Sequence, residues 1–482
     1  MSSKHFLIYL FVLAVVTRFI KLDWGSSFFF HPDENNMATA ISQLSWPDMN
    51  PHFFSYGQFP LYLGFILLKV FSLPQNFSNS VLVLRSISAV CSIIYLFILY
   101  RLSFYLFNSK KLHLVFLTLL IFTPGLIQLS HFGTTESLLN LIFALELLLA
   151  FRINQKPSLK INYFLTALFL GIGLATKISA ILFFIPFLIV NRSILCLIFV
   201  SGFSFLISII LSPYNFLELS NFLSSMRYET AVATGKLLVF YTQQFIGSTP
   251  YIFQLIKIFP YSSGLLMFIF GLIGFFFIKI NRKTLIIILP CLVYFIYFGQ
   301  VFVKWSRFMS PLFFIFPLLT TLLISKIKNS FLNKLILIIS IIPGILFLKL
   351  YLKLDTRIQA SDWINQNVPA HSTVLSESGN VINLPVNNNN LNINNFDFYN
   401  YQSEDLINQV NQSDYIFIPS RRVFKNNFAT DYYRNLFNGN LDFSEIKKFV
   451  PNCDFLLNSE NAEETWSVFD HPTIRIFNKN EN

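Results

Sequence analysis

Apolar residues run along this chain in stretches of about 15 to 25, separated by short polar breaks, and a helix of that length crosses a ~30 Å hydrocarbon layer. The runs fall at about 5–22, 81–107, 113–129, 137–151, 161–175, 178–190, 193–212, 262–280, 284–301, 308–325 and 332–350. They predict about eleven transmembrane helices. The first begins at His5 behind a single Lys and carries no small-residue cleavage site, so it is expected to be kept as a helix. The segment from Phe59 to Leu73 is apolar but short, and with the aromatic stretch Trp46 to Phe59 it is read as interfacial within a long loop, 23–80. The pair 161–175 and 178–190 hinges at Ala175-Thr176-Lys177. A second long loop covers 213–261. After residue 350 the pattern changes: an amphipathic helix is expected over Asp355 to Asn367, stopped at Pro369, with strands at Ser372 to Leu375 and Tyr415 to Ile418. Residues 351–482 thus read as a small α/β domain outside the membrane, with Asn387 to Asn390 in a surface loop. The fold class is an α-helical polytopic membrane protein with a C-terminal α/β domain.

Composition agrees. Of 482 residues 54% are hydrophobic and only 12% charged, which excludes a soluble enzyme and a nucleic-acid module. The net charge of +11 is divided unevenly: residues 1–350 hold 25 basic and 8 acidic side chains, the remainder 10 and 16. Four cysteines, Cys91, Cys196, Cys291 and Cys453, follow no pairing or metal-binding spacing and read as small hydrophobes.

Charge then orients the chain. Lys110, Lys111, Arg152, Lys156, Lys160, Arg192, Arg282, Lys283, Lys326, Lys328 and Lys334 gather in loops on one side, which should be cytoplasmic. Asp23, Asp33, Glu34, Asp48, Glu136, Glu218 and Glu229 all fall on the other, and Glu146 alone lies inside a span. The expectation is a multi-pass protein of the plasma or inner membrane, with a cytoplasmic N-terminus, an exterior C-terminal domain and lipids around the body.

With so few carboxylates in the body, each has to be weighed. Asp33 and Glu34, in His31-Pro32-Asp33-Glu34, can accept a proton from a nucleophile or hold a divalent cation, and equally can start the helix that follows. Glu136 stands in Ser130-His131-Phe132-Gly133-Thr134-Thr135-Glu136, where Thr134 can cap the next helix, and at the level of Asp33 it can complete an acidic site. Glu146 reads as a packed interior residue. Lys177, Arg227, Lys236, Lys304 and Arg307 sit where the positive-inside rule does not put them, and can hold an anionic headgroup such as a lipid phosphate or snorkel to phospholipids. No nucleotide-binding loop, metalloprotease motif or nucleophile elbow is present, so an outward-facing enzyme must draw on an activated lipid. No ligand set identifies a metal; Asp33, Glu34 and Glu136 are the candidates for a divalent ion.

These motifs in this order resemble the lipid-carrier-dependent, GT-C type glycosyltransferases, in the branch of protein O-mannosyltransferases and lipid A aminoarabinose transferases. The resemblance spans the chain: the acidic loop at 31–34, Tyr56-Gly57-Gln58-Phe59-Pro60-Leu61-Tyr62, His131 to Leu139, Gly171-Ile172-Gly173-Leu174-Ala175-Thr176-Lys177, Ser212-Pro213-Tyr214, Lys304-Trp305-Ser306-Arg307-Phe308 and Asp355 to Ile364. It implies a polyprenyl-phosphate sugar donor and inverting transfer to a lipid, glycan or protein acceptor outside the cell. It matches Asp33 to the base or acceptor-positioning acid, Glu34 to its neighbour and Glu136 to a second-loop acid, and it sets Lys177 and Arg307 near the carrier phosphate; Lys304 and Arg227, cations at the same outer level, are further candidates to bind it. Phe308 departs from the Tyr common in relatives, and the tail lacks the repeat domains of eukaryotic members. The alternatives are a flippase or transporter of lipid-linked sugars, which predicts internal repeats, paired broken helices and charged residues near the midplane, where the sequence has no repeat and Glu146 as its only deep acid, and a surface-polysaccharide polymerase or ligase.

Overall fold

The computed structural model describes residues 3–378, 384–386, 390–397, 402–424 and 429–480. Most of the expected Asn387 to Asn390 loop lies outside the described residues.

Each apolar run becomes helix. Four helices, Phe77–Ser103, Ile194–Leu211, Arg282–Gln300 and Ser330–Leu352, are long and apolar enough by themselves to cross a bilayer. Three more runs form helix pairs bent at a break: Lys110–Ile121 with Pro124–His131 at 54°, Gln254–Ser263 with Leu265–Phe275 at 112°, and Ser306–Leu312 with Ile315–Lys326 at 41°. The breaks have local causes. Pro124 starts a helix where its missing N–H costs nothing, and Gly264 turns the chain with φ +86°, so close to Pro343 that a Cβ would stand 2.7 Å from its ring. Pro311 lies within the short 3-10 helix of the third pair. Shorter apolar helices occupy His5–Phe19, Phe59–Val70, Lys160–Thr176 and Ile178–Val190, and Glu136–Gln155 forms a 20-residue helix among them. At 12 residues, Phe59–Val70 extends only about 18 Å at 1.5 Å per residue, well short of a bilayer core.

The C-terminal domain is built on five strands, β1 (Thr373–Ser378), β2 (Asn392–Asp397), β3 (Tyr415–Ile418), β4 (Phe443–Phe449) and β5 (Ile474–Lys479), in the order β2-β1-β3-β5-β4. β1 runs parallel to β2 and β3, with Val374 opposite Ile393 and Tyr415; β5 is antiparallel to β3 and β4, with Ile416 opposite Phe477. Alternation along β3 sends Ile416 and Ile418 to one face and Phe417 to the other. The Thr356–Asn367 helix covers the Phe417 face through Ala360 and Ile364, while the Ser403–Gln412 and Thr430–Phe437 helices cover the opposite face through Leu406, Tyr433 and Leu436.

This domain is seated on one end of the helical body. Trp466 and Phe469 share a core with Trp24, Phe30, Phe132, Phe347 and Tyr351. Polar ties reinforce it: Gln128 donates to the Trp466 carbonyl at 2.7 Å, Tyr351 OH to Asp470 at 2.8 Å, and the Ser306 N–H to Glu463 Oε2 at 3.0 Å. Arg357 is held by Asp355 at 2.6 and 2.8 Å, and its guanidinium lies 3.5 Å from the centre of the Phe30 ring.

Candidate functional site

A cavity of about 630 Å³ opens where the domain meets the helical body. Three distant segments meet at its floor. The Gly57 N–H donates to the Thr176 carbonyl at 2.9 Å, the Gln58 N–H to Ser212 Oγ at 2.7 Å, and Ser212 Oγ to the Ala175 carbonyl at 3.0 Å. Gly57 is required for this approach, since a Cβ would stand 2.0 Å from the Ala175 carbonyl oxygen. Gln58 extends the junction by accepting from the Tyr214 N–H at 3.0 Å. The Tyr56-Gly57-Gln58, Ala175-Thr176-Lys177 and Ser212-Pro213-Tyr214 motifs are thus one structural unit, which aims Tyr56 and Lys177 into the cavity, with the ammonium 5.0 Å from the Tyr56 ring centre.

Charged side chains enter from four directions. Asp33 stands in the first turn of the Pro32–Gln43 helix, whose first residue is Pro32, and forms an ion pair with Arg307. Both line the cavity and are about one-fifth exposed, at 22% and 21%. Arg307 also stacks on Trp305, 4.7 Å from the ring centre. Lys177, at the end of the Lys160–Thr176 helix, approaches Glu136 to 3.4 Å. Glu229, on the Leu219–Ala233 helix, lines the same cavity. Burial raises its carboxyl above the usual range, opposed by a hydrogen bond from Ser55 and by Lys177. Arg422 of the C-terminal domain, with Thr465 and Phe469, supplies the remaining wall. Aromatic rings of Tyr56, Tyr241, Trp305 and Phe308 fill in between.

The other sequence-derived candidates lie elsewhere. Glu34 points away from the cavity and is fully buried against Arg85 at 2.6 Å, also accepting the Gly133 N–H at 2.8 Å. Arg85 in turn donates to the Leu22 and Trp24 carbonyls and covers the Trp24 ring at 4.4 Å. Glu136 is 3% exposed, begins the Glu136–Gln155 helix behind Thr135 rather than Thr134, and borders a small recess beside the cavity with His31 and Arg307. Lys304 is buried with its ammonium on Ser248 Oγ and the Phe302 carbonyl, and Arg227 is exposed outside the cavity lining. Glu146 is buried within the bundle. Asp33, Glu34 and Glu136 each face a different cation, and among the described residues no three His, Cys, Asp or Glu side chains gather as a metal site. His31 lies between the Phe132 and Phe469 rings at 4.5 and 4.4 Å; burial, with Arg307, Arg85 and Arg422 around it, holds the imidazole well below its ordinary value.

Sequence reasoning assigned no site role to Glu229, Tyr56, Arg85 or Arg422. Arg85 had a readable signal, a cation inside an apolar run, and Glu229 had the scarcity of acids. Nothing local marks Arg422, which reaches the site only through the docking of the domain.

A sequence model of the dolichyl-phosphate-mannose-protein mannosyltransferase family matches residues 60–215. The segment contains Glu136 and Lys177; Asp33, Arg307 and the C-terminal domain lie outside it. No curated protein matches in sequence. Among solved structures the chain is similar to the oligosaccharyltransferase of Archaeoglobus fulgidus in complex with zinc and sulfate, with TM-score 0.50 and 15% identity over 77% of this chain and 60% of that one. It also aligns with ArnT from Cupriavidus metallidurans in the apo state, at TM-score 0.49 and 12% identity over 76% of this chain and 73% of that one. ArnT bound to undecaprenyl phosphate gives TM-score 0.48, again at 12% identity with 76% and 73% covered. In sequence over residues 60–215 the chain is similar to the dolichyl-phosphate-mannose-protein mannosyltransferases, and in fold over about three quarters of its length it is similar to the archaeal oligosaccharyltransferase.

Proposed function

We propose that this chain is an integral-membrane glycosyltransferase that moves a sugar from a polyprenyl-phosphate carrier to an acceptor hydroxyl at the outer face of the plasma or inner membrane, with inversion. The observation that carries the reading is the convergence of Asp33, Lys177 and Arg307 on one cavity. The matched mannosyltransferase segment supports the same class of donor.

The chemistry needs an acceptor oxygen relieved of its proton, room for a positively charged anomeric centre, and a place for the departing phosphate. Asp33 takes the acceptor proton as the new bond from oxygen to the anomeric carbon forms. The bond from that carbon to the phosphate oxygen breaks, and its electron pair leaves with the carrier. A base in this position contributes roughly 10²- to 10⁴-fold in rate. Lys177 and Arg307, each about one-fifth exposed, stabilise the phosphate through charge-assisted hydrogen bonds. The leaving phosphate is a weak base, so no general acid is required. Asp33 therefore exchanges its resting contact with Arg307 for the acceptor when the phosphate draws the guanidinium away. The substrate end of the cavity is walled by Trp305, Tyr241 and Tyr56, flat surfaces suited to the apolar faces of a sugar ring.

The test is to incubate purified protein in lipid with a panel of labelled polyprenyl-phosphate sugars. Release of polyprenyl phosphate together with a glycosylated acceptor is the expected result. Movement of donor between leaflets without turnover of any member of the panel overturns it in favour of a flippase.

A further inference from the structure

The cavity described above is not complete within the helical body. Among the described residues, five charged side chains line it: Asp33, Glu229, Lys177, Arg307 and Arg422. The first four belong to the body, two acids against two cations, and the fifth belongs to the C-terminal domain. Transfer from a phosphodiester-linked sugar leaves a phosphate monoester, so negative charge grows on the carrier as the bond breaks. A site that favours this change needs an excess of cations around the phosphate.

Arg422 is built to stay where it is. It follows β3, whose Ile416 and Ile418 are fully buried, and is the second residue of the short Arg421–Phe424 turn, with its N–H on Ser420 Oγ at 3.2 Å. Its neighbour Arg421 donates to the Ala462 carbonyl, fastening the turn to the segment that docks on the body. The Arg422 guanidinium is paired with Glu464 and lies 5.5 Å from the Phe469 ring centre, and Phe469 itself packs on His31. Arg307 and Arg422 are within electrostatic range of each other, and both act on His31, the residue that precedes Pro32 and Asp33. Two guanidinium groups from separate domains thus line one cavity. Each keeps a carboxylate beside it, Asp33 for Arg307 and Glu464 for Arg422. Like charges brought together in a partly desolvated space are costly unless an anion joins them, and a guanidinium fork suits a phosphate better than any other side chain does.

We propose that Arg422 is a phosphate-binding residue of this site, closing with Arg307 on the carrier phosphate, so that the C-terminal domain is part of the binding site. The proposal rests on the polyprenyl-phosphate reading given above. It also assigns the domain a function that its sequence does not suggest: it brings a second guanidinium to the cavity.

The experiment measures the affinity of the full-length protein, in lipid nanodiscs, for undecaprenyl phosphate, with wild type, Arg422→Gln, Arg422→Lys and Glu464→Gln compared. Loss of one charged hydrogen-bonding partner is expected to weaken binding by about 10- to 100-fold in Arg422→Gln. Arg422→Lys should recover a large part of it. Glu464→Gln, which removes the competing carboxylate, should bind as tightly as wild type or more tightly. A purely structural ion pair predicts instead that Arg422→Gln and Glu464→Gln lose binding alike and that Lys does not restore it; that pattern, or wild-type affinity in Arg422→Gln, overturns the proposal. Should Arg422→Gln fail to fold, Glu464→Gln still decides: binding at or above the wild-type affinity supports the proposal and weakened binding overturns it. A wild type that binds no undecaprenyl phosphate overturns the donor reading itself, a result distinct from failure of the Arg422 assignment.

Discussion

Asp33 and Glu34 are consecutive in the chain, yet they serve two different regions of the molecule. Asp33 faces the cavity, is one-fifth exposed, and meets an arginine that is itself open to the cavity. Glu34 faces the closed space behind, where Arg85, the Gly133 N–H and the Leu22 and Trp24 carbonyls leave it no exposure at all. Consecutive residues on a helix point about 100° apart, so one first turn presents one acid to each region. In the closed region the ion pair joins the Pro32–Gln43 helix to the Phe77–Ser103 helix and to the loop before Glu136. In the open region the ion pair can be exchanged for substrate. The comparison teaches that a pair of carboxylates at a membrane mouth is not necessarily a single acidic site; what surrounds each one decides its work.

The largest effect that separates the regions is on stability. Glu34→Gln leaves Arg85 buried without its counter-charge, and breaking a buried pair in this way costs about 3–5 kcal/mol. The expected outcome is a marked fall in thermal stability, read by unfolding in detergent, with transfer per folded molecule preserved. Loss of transfer without loss of stability would place Glu34 in the chemistry.

On the open side the proposed mechanism makes Arg307 a charged partner of the phosphate, so Arg307→Gln is expected to cost about 1.5–3 kcal/mol, or roughly 10- to 150-fold in transfer. Unfolding should change far less than in Glu34→Gln. Arg227→Gln, at an exposed cation outside the cavity, is the control and should transfer at a rate within about twofold of wild type.

A smaller effect concerns a buried acid held by hydroxyl groups. Glu377, on β1, accepts hydrogen bonds from Tyr432 and Tyr433, and burial pushes its carboxyl up to about 7. Because the folded value is raised, the stabilising contribution is complete below the unfolded carboxyl value and is lost as pH rises toward 7. Stability of the C-terminal domain should therefore fall with pH by up to about 1.4 kcal/mol per unit across that window, and Glu377→Gln should flatten the slope. An unchanged slope in the variant would show that Glu377 does not titrate there.

The helical body was legible because its signal is local. Runs such as 193–212 and 332–350 become the helices Ile194–Leu211 and Ser330–Leu352 with little shift at either end. The strand at Tyr415–Ile418 was readable from its apolar, aromatic run, and the Thr356–Asn367 helix from its periodicity and Pro369. The bends were not, since an apolar run looks alike whether the helix through it is straight or broken at Gly264. For the site, scarcity pointed to Asp33, Lys177 and Arg307: a charge beside an apolar run must be placed somewhere that tolerates it. Scarcity could not say which side of a helix each acid faces, so Glu34 was grouped with Asp33. The contribution of the C-terminal domain was invisible for a different reason. The bond from the Ser306 N–H to Glu463 joins residues 157 positions apart, and Arg422 reaches the cavity only through that docking.

The most direct test of the account is the rate at which purified protein in lipid releases polyprenyl phosphate from a labelled donor that the wild type turns over, compared with Asp33→Asn. The account predicts a fall of roughly 10²- to 10⁴-fold in that rate, with thermal stability and binding of undecaprenyl phosphate retained. Transfer by Asp33→Asn at the wild-type rate would contradict it.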